Sequence, residues 1–402
     1  MLRNTLKLLL GSLLLFGCGS SENSIRSYLG HSFDPAKLDA FLEKEMENNP
    51  IPGLTAVVLN DGEVVYHTVK GLADVDQGLP VTEETIFEAA SISKSIFAHF
   101  VMTYVEAGQL DLDRPLYEYW PYPDAAHDER YKQITARMVL SHRSGFPNWR
   151  ADDPAHEGQL KILFDPGTSY NYSGEGYVYL AEVLKHMGDG SWAGLEAEFQ
   201  RRIGEPFGLL HTVFITTPYT QARKAQPYDE AGEWIDLKAL RNMADYDTTF
   251  VAPASILTEP IDFSRWMKAV MNEERLTTES YQTLYAPVST LESVAGLSIE
   301  YSLGFFVLNA PFGTLYGHGG NNQGFTCFYA LDPEKDWGMA LYTNSEYGEE
   351  LGGFFLLYLL AGPHWVTYAV VAGVLILTLL VGLVLLIRRG FRRLRRGRGV
   401  LN

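Results

Sequence analysis

FEAASISKSIFAHFVMTYVEAG, residues 87–108, is the stretch on which the reading of this chain turns. A turn feeds one helix, with Ile92, Ile96, Phe100 and Tyr104 at helical spacing and Gly108 as the stop. Ser91 lies where that helix should begin, and Lys94 follows three residues later, so the two side chains share a face one turn apart. A serine hydroxyl attacks poorly until a base takes its proton. A lysine can be that base once burial and the positive end of the helix dipole lower its pKa. The same helix N-terminus offers N–H groups to an oxyanion. Ser-x-x-Lys also arises by chance in a chain this long, so the surrounding sequence has to decide.

Composition narrows the classes. Lysine and arginine number 32 against 49 acidic residues, a formal charge of −17, and the basic residues crowd the carboxyl end. The body of the chain is therefore more acidic than the total, which excludes a nucleic-acid binder. The only cysteines are Cys18 and Cys327. With Cys18 lipidated or cleaved away no internal disulfide forms, and two cysteines exclude a cysteine-based zinc or iron–sulfur centre. His156-Glu157 has no second histidine at zincin spacing, and neither a Gly-x-Ser-x-Gly elbow nor a phosphate-binding loop occurs. No cofactor and no metal is expected.

The ends carry targeting signals. Residues 1–18 have a basic start, an apolar run from Leu8 to Phe16, and a lipobox-like Leu15-Phe16-Gly17-Cys18, which reads as an export signal with lipidation at Cys18. Residues 19–34 read as a tether. Trp365 to Ile387 is uncharged and long enough to cross a bilayer, and the arginine-rich tail 388–402 would then be cytoplasmic. The expectation is a catalytic domain at 35–362 on the periplasmic side of a bacterial inner membrane, held by a transmembrane helix at 365–387 and by lipid.

Within 35–362, Asp34-Pro35 opens an amphipathic helix bearing Leu38, Phe41, Leu42 and Met46. GLTAVVLN and EVVYHTVKG flank Asn60-Asp61-Gly62, a hairpin signal. The middle, from about 87 to 270, is mostly helical in pattern. Strand-like runs return at 302–309, 313–319, 324–331 and 337–343. The expected class is α/β (α+β): one antiparallel sheet built from both ends of the domain, flanked by helices, with a helical subdomain and the C-terminal transmembrane helix.

Two later stretches complete the site. FDPGTSYNYSGEGYVYLAEVLKHM (164–187) enters a helix through a Pro-Gly turn, with Tyr172 in the loop before it. GHGGNNQGF (317–325) is glycine-dense within a strand pattern, which suits the close approach of a ligand or backbone to His318. Ser-x-x-Lys, Tyr-Ser-Gly and His-Gly-Gly in this order resemble the serine β-lactamase-like superfamily. That group includes class C β-lactamases, D-alanyl-D-alanine carboxypeptidases, D-aminopeptidases and related esterases. ITARMVLSHRSGFPN (134–148), FGLLHT (207–212), SILTEPIDFSRWMKA (255–269) and LYTNS (341–345) are similar to its connecting segments.

The resemblance implies that Ser91 is acylated and that Lys94 and Tyr172 share proton transfer. It implies that His318 and Gly320 line the substrate, and that the N–H groups of Ser91 and Asn321 form the oxyanion hole. Gly174 stands where the best-known members have asparagine, and His318 where they have lysine; both differences bear on β-lactam recognition more than on hydrolysis. His142 reads as a loop-ordering residue outside the site. The implied function is an acyl-enzyme hydrolase for an amide or ester, with D-amino-acid or peptidoglycan-type peptides leading. The alternatives are a small-ester esterase, a β-lactamase, or a non-hydrolytic penicillin-binding-type sensor. The expected partners are a small-molecule or peptide substrate and the membrane.

Overall fold

A computed structural model describes residues 24–152, 159–241, 245–294 and 296–365. Asp61 and Gly62 both take positive φ (54° and 71°), as a two-residue hairpin of right-handed strands requires, and join β1 (Gly53–Asn60) to β2 (Glu63–Asp74). The short β3 (Leu79–Pro80) pairs with β2. The remaining strands come from the far end of the domain: β4 (Ser289–Val294), β5 (Leu297–Tyr301), β6 (Phe306–Ala310), β7 (Gly313–Asn321), β8 (Thr326–Asp332) and β9 (Trp337–Thr343). They form one antiparallel sheet in the order β3-β2-β1-β9-β8-β7-β6-β5-β4. The closing seam sets Ala340 of β9 opposite Val57 of β1.

Alternation along β1 fills two cores. Leu54, Ala56 and Val58 point to one face, where they meet Leu38 and Leu42 of α1 (Pro35–Asn48), and Leu351, Phe355 and Leu359 from the carboxyl end. Asp34 caps α1 by accepting the Ala36 N–H at 2.9 Å, with Pro35 in the first turn. Val57 and Leu59 point to the other face, toward Ile96, Phe97 and Phe100 of α2 (Ser93–Glu106). The helix α3 (Gly174–Met187) belongs to the helical region on this face. So does α4 (Pro260–Met271), which adds Phe263 and Trp266. The helix α5 (Gly348–Ala361) carries the carboxyl-end residues of the first core. Between a sheet and a helical subdomain α2 reaches solvent only in its last turn, at Thr103, Val105 and Glu106, and it buries Ser93, Lys94, Ser95 and His99 along with its apolar stripe.

Four expectations are corrected. The strand read at 302–309 is interrupted at Gly304 (φ +86°), where a Cβ would meet Ala98 Cβ at 2.7 Å and the Lys94 carbonyl at 2.9 Å. The chain bends there to touch α2. The edge strands β4 and β5 were not anticipated. The described part of the tether, 24–34, is folded: Ile25 pairs with Phe33, and Tyr28 donates to Asp332 at 2.7 Å. Finally, among the described residues no helix is long and apolar enough to cross a membrane, so the described fold is α/β without a spanning element. The last long helix among the described residues, α5, lies against the sheet. Of 365–387 only Trp365 is described; residues 1–23 with Cys18, and the tail 388–402, also lie outside the described residues.

Candidate active site

The nucleophile's turn is held in a costly conformation. Ala90 has φ +44°, in the left-handed region that a residue with a Cβ avoids, and it leads into a 3₁₀ turn, Ala90–Ile92, before α2. Such a turn persists only when its neighbours fix it. Phe87 and Glu88 pair with Thr258 and Leu257, Ala89 N–H donates to Ile256 O at 2.8 Å, and Ile256 N–H donates to Ser93 Oγ at 3.1 Å. From the sheet side, Cys327 Sγ–H donates to Ala89 O at 3.0 Å. The turn leaves Ser91 half-buried at the head of the helix.

Lys94 is 1 % exposed, and its Nζ lies 3.1 Å from Ser91 Oγ and 3.0 Å from Pro253 O. Among the described residues, no carboxylate pairs with it. Burial alone drives its pKa from the usual lysine range down to about 7. The amine is then half-neutral near neutral pH. With one N–H held by the Pro253 carbonyl, its lone pair can accept the Ser91 hydroxyl proton. The ring of Tyr172 lies 4.6 Å from Lys94 Nζ. Burial raises the Tyr172 pKa, and a hydrogen bond with Ser91 opposes that rise. Tyr172 therefore reaches the same hydroxyl as a neutral phenol.

Tyr172 is placed by the N-terminus of α3. Ser173 caps that helix, its Oγ accepting from Gly176 N–H at 3.0 Å and donating to Pro147 O at 2.8 Å. Gly174 is required by its surroundings: a Cβ there would meet Asn148 O at 2.9 Å and the Trp149 ring at 3.1 Å. The loop around Asn148 and Trp149 thus fills the space an asparagine side chain would take.

The glycine-dense strand is placed as expected, but its side chains differ. Gly320 packs on the nucleophile's turn, and a Cβ would meet Ala89 O at 2.8 Å and Ala90 Cβ at 2.9 Å. His318 is 2 % exposed. Its Nδ1 lies 2.5 Å from Gly319 O and its Nε2 3.2 Å from Tyr301 Oη, so both nitrogens are engaged within the protein. Burial, followed by the charge of Lys94, lowers its pKa to about 3. His318 is a neutral wall of the site and offers no spare donor. Asn321 ends β7, and its side chain turns away, donating to Glu346 at 2.7 Å.

Sequence reasoning passed over Pro253, whose carbonyl nothing in a motif would mark. It also passed over Tyr301, and it set aside His142, although LSHRSG was noted as a family-like segment. Among the described residues, one group could hold a cation: His211, Glu259 and Asp262, with ligand atoms within 4.8 Å of one another. Its carboxylates are committed elsewhere. Glu259 caps α4 through the Ile261 and Asp262 N–H groups, and Asp262 accepts from His211 N–H and Arg265. The cluster latches the 207–212 run to α4.

A family model described as Beta-lactamase matches residues 38–355. Among curated proteins, Protein flp of Staphylococcus aureus (strain NCTC 8325 / PS 47) is 22 % identical over 334 residues, covering 78 % of this chain and 64 % of flp. The chain thus spans somewhat under two thirds of that relative's length. Among solved structures, the octameric penicillin-binding protein homologue from Pyrococcus abyssi superposes with TM-score 0.68 at 24 % identity. That match covers 83 % of this chain and 79 % of the other. The D-amino acid amidase from Ochrobactrum anthropi SV3, complexed with L-phenylalanine amide, gives TM-score 0.63 at 20 % identity, covering 81 % and 97 %. At these identities the structural likeness concerns the fold.

Proposed function

The chain belongs to the beta-lactamase family, and from that premise we propose that it is a serine hydrolase that cleaves an amide or ester through an acyl-enzyme on Ser91. The observation that carries this is the 3.1 Å approach of a fully buried, carboxylate-free Lys94 amine to a half-exposed serine hydroxyl. Neutral Lys94 takes the Ser91 proton as Oγ bonds to the substrate's carbonyl carbon, and the oxygen gains charge at the head of α2. Proton return through Tyr172 or Lys94 releases the amine or alcohol. Water, its proton taken by neutral Lys94, then attacks the ester carbon, and return of that proton to Ser91 Oγ frees the acid. Tyr172 serves as a neutral donor in this scheme, because its raised pKa keeps the phenol protonated near neutral pH.

The substrate class we propose is a D-amino-acid or peptidoglycan-type amide, with a small ester second. Support comes from the D-amino acid amidase among the fold neighbours and from the uncharged wall at His318, which suits a neutral group better than a carboxylate. A cleft of about 390 Å³ lined by Lys224, Pro227, Trp234 and Tyr246 adjoins the Asn322 segment, since Asn322 reaches both Tyr246 and Glu88, the partner of Lys224. It is large enough for a substrate side chain. We also propose that the domain works outside the cytoplasm, on the strength of the basic-then-apolar leader ending at Cys18.

The intact chain treated with a serine-directed acylating probe should gain one acyl mass, and Ser91→Ala should gain none. Labelling that persists in a folded Ser91→Ala protein defeats the reading. Turnover of a D-amino-acid amide with release of free amine separates a hydrolase from a protein that is acylated once and stays labelled.

A further inference from the structure

Four hydrogen bonds run in line beneath the site through groups that the proposed reaction does not use. Ser173 N–H lies 3.0 Å from His142 Nδ1, and His142 Nε2 lies 3.1 Å from Tyr301 Oη. Tyr301 Oη lies 3.2 Å from His318 Nε2, and His318 Nδ1 lies 2.5 Å from Gly319 O. The two ends fix the proton on each imidazole. A backbone N–H can only donate, so His142 Nδ1 accepts and a neutral His142 carries its proton on Nε2. A carbonyl can only accept, so His318 carries its proton on Nδ1 and accepts at Nε2. Tyr301 Oη then accepts from His142 Nε2–H, and its single hydroxyl proton goes to His318 Nε2 or to Tyr177 Oη. Tyr177, packed alongside, donates to Leu140 O at 2.9 Å and is also hydrogen-bonded to Tyr301, so its oxygen is a second acceptor for the Tyr301 proton while both imidazoles keep the order their backbone partners set.

The line also crosses from one layer to the other. His142 follows the short helix Ala136–Leu140 and Ser173 caps α3, whereas Tyr301 ends β5 and His318 lies in β7. Tyr172 sits where it crosses. His142 holds the chain on both sides of Tyr172: its carbonyl accepts from Asn171 N–H at 2.8 Å and its Nδ1 from Ser173 N–H. The two rings lie 4.2 Å apart between centroids. His142 adopts φ +57°, a left-handed conformation that costs stability and brings carbonyl and imidazole to the same segment.

We propose that His142, backed by Tyr301 and His318, is a positioning residue for Tyr172, a strap of fixed proton order that ties the Tyr172 loop to the sheet. The catalytic part of this rests on the acyl-enzyme reading above; the strap itself does not. Tyr172 has no backbone in the sheet, so its distance from Ser91 depends on how the helical layer is held against β7. A displacement of about 1 Å at such a group costs up to about 100-fold in rate.

Imidazole ¹⁵N NMR on the intact chain reads the proton order directly. Of ten histidines, the one whose signals vanish in His142→Asn should be neutral and protonated on Nε2. The one lost in His318→Gln should be neutral and protonated on Nδ1. A His142 protonated on Nδ1, or on both nitrogens at neutral pH, overturns the proposal in the wild-type protein, whatever the variants do. Tyr301→Phe keeps the ring and removes the link. It should move the Tyr172 ring resonances and the His142 Nε2 signal, leave His318 protonated on Nδ1 through Gly319 O, and slow Ser91 labelling at saturating probe by about 10-fold with unchanged probe affinity. His142→Asn tolerates the left-handed backbone and keeps an acceptor for Ser173 N–H, so it should label faster than His142→Ala. Unmoved Tyr172 resonances in Tyr301→Phe, or equal labelling in all these variants and the wild type, defeat the positioning role. Failure of the wild type to label at all would remove the acyl-enzyme reading alone, since the Tyr172 resonances still judge the strap.

Discussion

The two faces of the central sheet are buried to the same depth and put that burial to different use. On the face covered by α1 and α5, the contact is made by Leu38, Leu42, Leu54, Val58, Leu351, Phe355 and Leu359, and the stabilisation is that of apolar area removed from water. On the face toward α2, the apolar core also encloses Lys94, His142 and His318. Burial there acts on protonation: it brings Lys94 to about 7 and His318 to about 3. A buried amine without a carboxylate destabilises the fold, and the apolar face supplies the margin that permits it. One face holds the domain together, and the other spends some of that stability on a base.

The sharpest break in this comparison is Lys94→Met. Acylation of Ser91 should fall by about 10³-fold, within the range for loss of a positioned general base. The same change should stabilise the fold. The folded pKa of Lys94 lies below its unfolded value, so its cost is full below pH 7 and fades as pH rises toward 10.5. At about 1.4 kcal/mol per pKa unit, the gain is a few kcal/mol at pH 6 and little at pH 10, measurable by denaturant unfolding at the two pH values. A destabilised Lys94→Met protein would mean that Lys94 is a structural ion.

On the opposite face, Phe355→Ala should cost about 3–5 kcal/mol in the same unfolding assay, with the Ser91 labelling rate of the folded protein unchanged. A changed rate would show that the two faces are not separable. Gly320→Ala should cost less, about 1–3 kcal/mol, yet slow labelling by at least about 10-fold. Its Cβ has nowhere to go but against Ala89, Ala90 and Cys327. Smallest is Asp113→Asn, which weakens an exposed ion pair with Arg137 and should shift stability by no more than about 1 kcal/mol with no effect on labelling.

The apolar face was legible in the sequence: Asp34-Pro35 marked α1, Asn60-Asp61-Gly62 marked the hairpin, and 337–343 read as a strand-like run, which the structure buries along its whole length. The chemical face was legible only through its motifs. Ser91, Lys94, Tyr172 and Gly320 were named and are brought together, because each belongs to a local pattern. His318 was named as lining the substrate, but its hydrogen bonds run inward; a residue's facing partner cannot be read from a one-dimensional pattern when that partner, Tyr301, comes from another strand. His142 was set aside for the same reason, since its partners are Tyr301 and the backbone around Tyr172. The strand at 302–309 was misread because the bend at Gly304 answers to α2, about two hundred residues away. The membrane-crossing helix was read from an uncharged run and the arginine-rich tail that follows it, and among the described residues no helix is long and apolar enough to cross a membrane.

The central claim is that a buried, neutral Lys94 takes the Ser91 proton. It is tested most directly by the rate at which Ser91 in the intact chain is acylated between pH 5 and 9, followed by mass spectrometry with Ser91→Ala as the blank. The rate should rise with pH and level off, with a midpoint at about 7 where Lys94 loses its proton. A rate that does not change through pH 7, or acylation that survives in Ser91→Ala, would contradict it.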